Sequence, residues 1–504
     1  MAVVPGGPRS GPPAGAQFFC TAGRGLEPFL MREVRERLAA TQVEYISGKV
    51  FFTACSDLNM LKQLKSAERL FLLIKKQLPF PVSSISKGKI FNELQRLIND
   101  DPESWLNAIS IWKNLLELDA KKEKLSHKNA NPLKRKVGED DTAAKKLKTE
   151  QIQEIQETKE CQLEKQIEEK LLEQGNFITE EGKFQELQND VTEAADTRNQ
   201  TNLTFRVSCR CSGAIAKTLT AQEVGRVIGI ALMKQFGWKA NLRNPDLEIF
   251  IHLSDIYSVL GIPVFRVPLA CRAYIKTAGM RSTIAWAMAS LAEIKAGAVV
   301  LDPMCGLGTI LLEAAKEWPD VYYVGADVSD SQLSGAYDNL RAAGLKDKVE
   351  LLRVSVIGIK LREASHSSYL SFSVPFSLKN FTLKTSIKCS IVNKGPRVLR
   401  VGGTIVLLLS EDHHRHLKGG EASSGPLNSQ GGHTQEPGGE ECLTPAGKAA
   451  VSEPVSSLFV ASNQECLDRM PLLGSLVPVD CYRVSLGKTD ALISKYKKSY
   501  SPGR

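Results

Sequence analysis

The order of apolar and polar positions divides the chain into patterned segments and segments without a pattern. In the first patterned segment, strand and helix spacings predict four elements, with strands at 18–20 and 50–52 and helices at 28–38 and 61–73. The sequence therefore predicts a small α+β domain over 17–118. The Gly- and Pro-rich residues 1–16 before it are expected to be disordered.

Residues 119–165 are rich in Lys, Glu, Asp and Gln and poor in bulky apolar residues. Such a segment buries too little surface to offset its conformational entropy, so we expect a disordered charged insert. It carries two basic clusters, Lys134-Arg135-Lys136 and Lys145-Lys146-Leu147-Lys148. Basic clusters of this kind are typical of a nuclear import signal, although a solvated charge run has the same composition.

A second globular unit is predicted over 166–265. Apolar and polar residues alternate over 204–209, and 247–253 is an apolar run, so both are expected to be strands. Between them, Thr220 and Glu223 have the spacing of a capping box, and Gly237 is expected to end the helix that they begin.

From about residue 270 strands and helices alternate, which predicts a doubly wound α/β domain over 270–504. The expected strands lie at 299–301, 322–326, 349–354 and 404–409, and a hairpin over 482–493 closes the domain. Residues 411–456 are rich in Gly, Ser, Pro and Glu and are predicted to be a disordered insertion.

A Gly-rich turn after the first of these strands carries the clearest chemistry. The strand ends at Asp302, and Gly306 and Gly308 let the backbone approach a ligand closely where a Cβ would clash. In such folds the ligand lies outside the carboxyl ends of the strands. Asp327 ends the next strand, the usual position of an acid that binds ribose hydroxyls.

The turn is not the G-x-G-x-x-G of dinucleotide-binding folds. Its pattern, Asp-Pro-x-Cys-Gly-x-Gly-Thr, resembles the cofactor loop of S-adenosylmethionine-dependent methyltransferases. The predicted cofactor-binding residues of this turn and the next strand are Asp302, Pro303, Cys305, Gly306, Gly308, Thr309 and Asp327.

Motifs on both sides of this turn extend the resemblance. Gly279-Met280-Arg281-Ser282-Thr283, together with the turn, is similar to the THUMP-domain guanosine-N2 RNA methyltransferases. The segments 205–210, 222–225 and 237–249 resemble the THUMP domain of that family. The resemblance covers most of residues 17–410 outside the insert. It implies a ferredoxin-like N-terminal domain, a THUMP RNA-binding domain and a Rossmann-like methyltransferase domain.

The family resemblance also implies a reaction and partners. A guanine exocyclic amine of a structured small RNA, either transfer RNA or spliceosomal small nuclear RNA, attacks the methyl group of S-adenosylmethionine. An Asp-x-Pro-Phe loop after the fourth strand holds the amine, which is catalysis by orientation and hydrogen bonding. Related enzymes work with a small zinc-binding activator subunit that covers an apolar edge of the sheet.

The sequence departs from the family pattern where catalysis is expected. The counterpart of the Asp-x-Pro-Phe loop is Ser373-Val374-Pro375-Phe376, so a serine replaces the acid, and Ser355 stands where an acid near the adenine is expected. No Asp or Glu occurs in the 47 residues from 364 to 410. An alternatively spliced or altered-frame segment would explain this, and so would divergence.

Two other functions compete with the methyltransferase. Ser373 favours a catalytically silent RNA-binding protein that retains the cofactor fold. An RNA-thiolating THUMP enzyme would need a Ser-Gly-Gly-x-Asp-Ser loop, which the sequence lacks. In either RNA-binding hypothesis, the candidates for phosphate contacts are Arg206, Arg210, Lys217, Lys239 and Arg243, although ordinary surface charge also explains any one of them.

Composition sets few further limits. The net charge of +9 from 65 basic and 56 acidic residues permits a polyanionic partner without requiring one. The 11 cysteines lack zinc-ligand spacing, so we expect no metal site and reduced thiols, and Cys209 and Cys211 are interpreted as lying on alternate faces of one strand. We expect no secretory signal or membrane span, and a nuclear location, with the cytoplasm as a second compartment.

The import hypothesis predicts a change of compartment when both basic clusters are removed. Alanine replaces Lys134, Arg135, Lys136, Lys145, Lys146 and Lys148. Imaging of the tagged protein should then show a shift from nucleus to cytoplasm. Alanine at Lys121, Lys122 and Lys124 removes charge from the same insert and should leave the distribution unchanged. A nuclear signal that survives loss of both clusters would contradict the hypothesis.

Overall fold

The structure, a computed structural model, describes residues 15–129, 203–355, 369–373, 399–410 and 463–499, apart from 47, 56, 81–85, 278, 469, 471 and 488. The described strands form two sheets. Both predicted basic clusters and the predicted insertion 411–456 lie outside the described residues.

The first half of the larger sheet comes from the N-terminal segment. Its elements, in chain order, are β1 (Ala16–Thr21), α1 (Glu27–Leu38), β2 (Thr41–Ile46), β3 (Lys49–Ala54), α2 (Leu58–Leu61), β4 (Arg69–Gln77), α3 (Lys87–Asn99) and α4 (Pro102–Asn129). The strands pair antiparallel in the order β2-β3-β1-β4, the arrangement expected of a ferredoxin-like domain.

The second half of this sheet comes from the THUMP-like segment. Its elements are β5 (Thr204–Cys211), α5 (Ile215–Thr218), α6 (Ala221–Phe236), β6 (Lys239–Ala240), β7 (Leu247–Leu253) and β8 (Ser258–Pro263). β8 pairs antiparallel with β4, so the two halves share one eight-stranded sheet in the order β2-β3-β1-β4-β8-β7-β5-β6. The capping box of Thr220 and Glu223 and the left-handed Gly237 bound α6 as predicted.

The second sheet forms the Rossmann-like domain. Its elements are α7 (Ser282–Leu291), β9 (Val299–Asp302), α8 (Thr309–Glu317), β10 (Tyr322–Asp327), α9 (Asp330–Ala342), β11 (Val349–Arg353), β12 (Tyr369–Ser373), β13 (Thr404–Ser410), β14 (Leu476–Ser485) and β15 (Asp490–Lys498). The strand order is β11-β10-β9-β12-β13-β15-β14. Strands β9 to β13 are parallel, and the predicted terminal hairpin, β14 and β15, is antiparallel.

The helix predicted over 61–73 is wrong. The structure instead has the one-turn helix α2, which Asp57 caps, followed by the strand β4. β4 pairs with β1 on one side and β8 on the other, and Leu70, Phe71 and Leu72 are buried. A short apolar run of this kind has the same pattern in a central strand and in a buried helix, so only long-range pairing distinguishes them.

The predicted boundaries of disorder also need correction. α4 continues through 119–129, residues assigned to the insert, and Ala16 belongs to β1 rather than to the N-terminus. A helix that starts on buried residues such as Trp105 is extended by good helix formers, because propagation costs less than nucleation.

The cysteine predictions are wrong in two respects. Cys466 and Cys481 form a disulfide with a Cα–Cα distance of 5.7 Å. Both pack in the core cluster of the terminal hairpin. Their separation of 15 residues in the sequence does not predict that they lie close together. Cys209 and Cys211 lie two positions apart on β5 and therefore share a face, where the neighbouring Cys211 and burial raise the pKa of the Cys209 thiol.

Within the described ranges, every helix falls short of the length and hydrophobicity that a bilayer crossing requires. The same residues contain no group of three or more His, Cys, Asp or Glu side chains arranged to hold a metal ion.

The N-terminal domain docks on the terminal hairpin of the Rossmann-like domain. Arg24 makes a two-pronged ion pair with Asp490 at 3.0 and 2.9 Å, and Phe29 packs on Tyr482 with ring centroids 4.7 Å apart. Between these contacts Gly25 has φ of 91°, and a Cβ on it would lie 1.8 Å from the Arg483 carbonyl oxygen. Only glycine permits this approach of two backbones.

Gly25→Ala should therefore destabilise the protein through both backbone strain and the clash with Arg483. We expect a loss of roughly 2–4 kcal/mol in the free energy of unfolding, measured by urea titration. Gly48→Ala is the matched control, because Gly48 has φ of 75° with no atom within 4 Å of the added Cβ. Its cost should be confined to about 1–2 kcal/mol of backbone strain. Equal losses in the two variants would contradict the docking contact.

Candidate cofactor and RNA site

Two carboxylates meet at the carboxyl ends of neighbouring parallel strands. Asp302 ends β9 and lies opposite Gly325 of β10, so Asp327 stands two residues further along the adjacent strand. The Oδ2 atom of Asp327 accepts a hydrogen bond of 3.0 Å from the Gly306 amide, and its Oδ1 accepts one of 2.9 Å from the Ser329 amide. Asp327 therefore ties the Gly-rich turn to the start of α9.

The Gly-rich turn is fixed by its own backbone. The Cys305 amide donates to the Ala326 carbonyl at 2.9 Å, and the Gly308 amide donates to the Cys305 carbonyl at 2.8 Å. Gly306 and Gly308 have φ of 54° and 74°, in the left-handed region that favours glycine. The turn delivers the chain to Thr309, the first residue of α8, whose N-terminus faces the same edge of the sheet.

Asp302 is completely buried yet incompletely paired. Its Oδ1 accepts a 3.2 Å hydrogen bond from the Met304 amide, whereas Oδ2 has no partner among the described residues. Burial, with a smaller contribution from the charge of Asp327, raises the pKa of Asp302 to about 7. The Thr309 hydroxyl is likewise buried without a partner in the described structure. Buried polar atoms without partners are rare, so this edge suits a ligand with hydrogen-bond donors.

Pro303 and Cys305 lie on the protein side of the turn. Both are buried, and Cys305 belongs to the core cluster of the domain, where burial raises the pKa of its thiol. A Cβ on Gly325 would lie 3.1 Å from the Cys305 sulfur, so the turn and β10 pack at close range.

Asn339, in α9, supports the candidate site and is not among the residues predicted from the sequence. Its side chain is buried and makes four hydrogen bonds: it accepts from the amides of Lys276 and Thr277 at 2.7 and 3.0 Å, and it donates to the carbonyls of Thr277 and Leu307, both at 3.1 Å. It thereby joins the segment before α7 to the Gly-rich turn. A polar residue on the helix face that buries Ala336 and Leu340 is the signal that could have revealed it.

The strand ends beyond Asp327 carry serines. Ser355 follows β11 by two residues, next to Val354, whose amide donates to the Asp327 carbonyl at 3.0 Å. Ser373 is the last residue of β12 and lies opposite Leu408 of β13. Ser373 therefore stands at the end of the fourth strand of this domain, where the family has an acid. Pro375 and Phe376 lie outside the described residues.

Four of the five basic residues predicted to contact RNA fall into two groups at opposite ends of β5. Lys239 and Arg243 lie near Thr204, whereas Arg210 and Lys217 lie near the other end, about 20 Å away for six strand residues. All four side chains are exposed. Arg206 lies between the groups and pairs with Glu248 at 2.8 Å, which partly neutralises it.

The fold and this edge define a Rossmann-like, S-adenosylmethionine-dependent methyltransferase joined to a THUMP domain. The family description RMKL-like, methyltransferase domain, matches residues 270–376, and the description THUMP domain matches residues 181–261. The crystal structure of TrmN from Thermus thermophilus superposes with a TM-score of 0.55 at 17% identity, over 96% of this chain and 99% of that one.

Two relatives align over the whole chain. The U6 snRNA (guanine-N(2))-methyltransferase THUMPD2 of Bos taurus is 88% identical, and that of Homo sapiens is 71% identical, each over 100% of both chains. The chain therefore belongs to the family of THUMP-domain RNA guanine-N2 methyltransferases. S-adenosylmethionine is the cofactor of this family, as the Gly-rich turn predicts.

The raised pKa of Asp302 predicts a pH dependence of stability in the protein without ligand. Between about pH 4 and pH 7 the folded state binds a proton that the unfolded state has released, so this group makes stability fall as pH rises. Asp302→Asn should abolish that part of the decline in urea unfolding across this range. Asp320→Asn, which changes an exposed carboxylate, should keep it. Parallel pH profiles for wild type and Asp302→Asn would contradict the assignment.

Proposed function

We propose that this chain methylates the exocyclic N2 of a guanosine in spliceosomal small nuclear RNA, with U6 as the substrate that its relatives' names indicate. The observation that carries the proposal is the pair of carboxylates at adjacent strand ends, one of them buried with an unpartnered oxygen. This pair lies in a chain that also contains a THUMP domain.

Each residue at this edge has a part in holding the cofactor. Asp302 binds the ammonium of its amino-acid end, because a carboxylate with a free oxygen needs a cationic donor. Asp327 binds the ribose hydroxyls, and Ser355 lies on the adenine side at the end of β11. The cofactor supplies the methyl group. Pro303, Cys305, Gly306, Gly308 and Thr309 shape the turn against which it rests.

The RNA contacts follow from exposed charge. Lys239 and Arg243 form one phosphate-binding group and Arg210 and Lys217 the other, and their separation fits two neighbouring parts of a structured RNA. Arg206 contributes less, because Glu248 already accepts from it. The basic clusters of the 119–165 segment direct the protein to the nucleus, where small nuclear RNA is modified.

The free edge of the Rossmann-like sheet is the place for an activator subunit. Among the described strands β11 is the last on its side of the sheet, and Leu352 on it is 47% exposed. An apolar residue on an unpaired edge favours association with another chain. We expect the chain expressed without a small zinc-binding partner that covers β11 to be poorly soluble or inactive. Full activity of a monodisperse preparation without any partner would contradict this expectation.

Ser373, at the end of β12, limits the rate of methyl transfer in this proposal. The amine lone pair of guanine is delocalised into the ring, so methyl transfer needs an acceptor that orients it. A serine such as Ser373 can accept a hydrogen bond, but it carries no charge to stabilise the cation that develops. Loss of one oriented group of this kind costs about 10²–10³-fold in rate. We therefore infer that the chain binds cofactor and RNA and turns over slowly.

The proposal is tested with labelled cofactor, total small RNA and the activator, followed by sequencing of the labelled RNA. We expect slow labelling of a small nuclear RNA by the chain as it stands. Replacement of 355–400 by a family sequence with Asp-x-Pro-Phe should give faster labelling, and Ser373→Asp alone should rescue little. Labelling of transfer RNA alone would contradict small nuclear RNA as the substrate, and rapid turnover by the unmodified chain would contradict the role of Ser373.

Asp327→Ala should weaken S-adenosylmethionine binding by about 1.5–3 kcal/mol, measured by calorimetry, because hydrogen bonds to a charged group are lost.

A further inference from the structure

Arg272, in the segment that joins the two sheets, uses its guanidinium on three partners. Nε and Nη2 donate to the Glu313 carboxylate at 3.1 and 3.3 Å, Nη2 also donates to the Lys65 carbonyl at 2.8 Å, and Nη1 donates to the Leu269 carbonyl. The side chains of Arg272 and Glu313 are 4% and 1% exposed. Only the fixed fork of an arginine reaches all three partners at once.

Lys65 belongs to the RNA-binding half of the protein, by which we mean the eight-stranded sheet of the N-terminal and THUMP-like segments and its helices. Lys65 lies in the loop between α2 and β4, and the amides of Lys65 and Ser66 donate to the buried Glu33 of α1 at 2.7 and 2.9 Å. The same loop leads into β4, the strand that pairs with β8 of the THUMP-like half. This loop therefore connects Arg272 directly to a central strand of the eight-stranded sheet.

Glu313 belongs to the cofactor half, which is the Rossmann-like domain. Glu313 lies one turn after Thr309 in α8, the helix that starts at the Gly-rich turn. Tyr274 also donates to Glu313 at 2.7 Å. One turn further, Glu317 pairs with Arg37 of α1, which in turn contacts Glu33 at 3.0 Å. Glu313 and Glu317 of α8 thus pair with Arg272 and Arg37. Both arginines are linked to the loop that contains Lys65, Arg272 directly and Arg37 through Glu33.

We propose that Arg272 is a positioning residue, which holds the RNA-binding sheet at a fixed distance and angle from α8 and its cofactor turn. The proposal rests on the proposed function, because a target guanosine gripped by one half must reach the methyl group held by the other. A buried ion pair adds little stability over an apolar contact of the same volume, so its effect here is geometric. Misplacement of reacting groups by about 1 Å can cost on the order of 10²-fold in rate.

Two variants separate geometry from folding. Arg272→Lys keeps a charge beside Glu313 and loses the fork that reaches Lys65. The double variant Arg272→Met with Glu313→Leu removes both buried charges and keeps apolar volume. The matched control is Arg24→Ala, which removes another ion pair between the same halves, one whose arginine side chain is 73% exposed.

The first readout is a distance and requires no turnover. Spin labels on encoded reactive residues at Glu36 and Lys346, both exposed, report the distance between the halves by pulsed paramagnetic resonance. Wild type and Arg24→Ala should give one narrow distribution, and both Arg272 variants a broader one. Cofactor affinity by calorimetry should change by less than about threefold, and single-turnover methylation should slow by about 10–100-fold.

Three results would overturn the proposal: narrow distributions in the Arg272 variants, broad distributions with an unchanged single-turnover rate, or failure of both variants to fold, which would make the role purely structural. The rate is measured on the form with 355–400 replaced if the natural chain is too slow. If no form methylates RNA, the proposed function fails, whereas the distance distributions still decide the role of Arg272.

Discussion

Parallel pairing of β9 with β10 is the interaction on which the cofactor site depends. Its register sets Asp302 against Gly325, so that β9 ends two residues before Asp327 at the same edge of the sheet. The turn after β9 then folds back on Asp327, which accepts from the Gly306 amide. A shift of the register by one residue would move every side chain of the strand to the opposite face and separate the two carboxylates.

The same pairing explains the electrostatics of the edge. Asp302 is removed from solvent, and this burial, with a smaller contribution from the charge of Asp327 on the adjacent strand, raises its pKa. A cation placed against Asp302 relieves both the repulsion and the missing hydrogen bond. The edge therefore favours a ligand that carries a positive charge, in agreement with the proposed cofactor.

The parts of the fold that sequence patterns predicted are those whose determinants lie close together in the chain. The strand, turn and helix around Asp302 form one continuous segment, and the capping box of α6 needs only Thr220 and Glu223. β4 was assigned wrongly because its strand character comes from partners up to about 190 residues away, such as Pro263 beside Phe71. Asn339 and the pair of Arg272 with Glu313 depend on packing between elements, which local spacing does not encode.

The close approach of Gly25 to Arg483 has a consequence for synthesis of the chain. Arg24 and Asp490 are 466 residues apart, so the N-terminal domain leaves the ribosome long before its docking surface exists. At about 5–20 residues per second this interval lasts roughly 20–90 s. Leu26 and Phe29, which are buried against the hairpin in the complete chain, lack this cover throughout that time. The N-terminal domain therefore completes its packing only after β14 and β15 have been made.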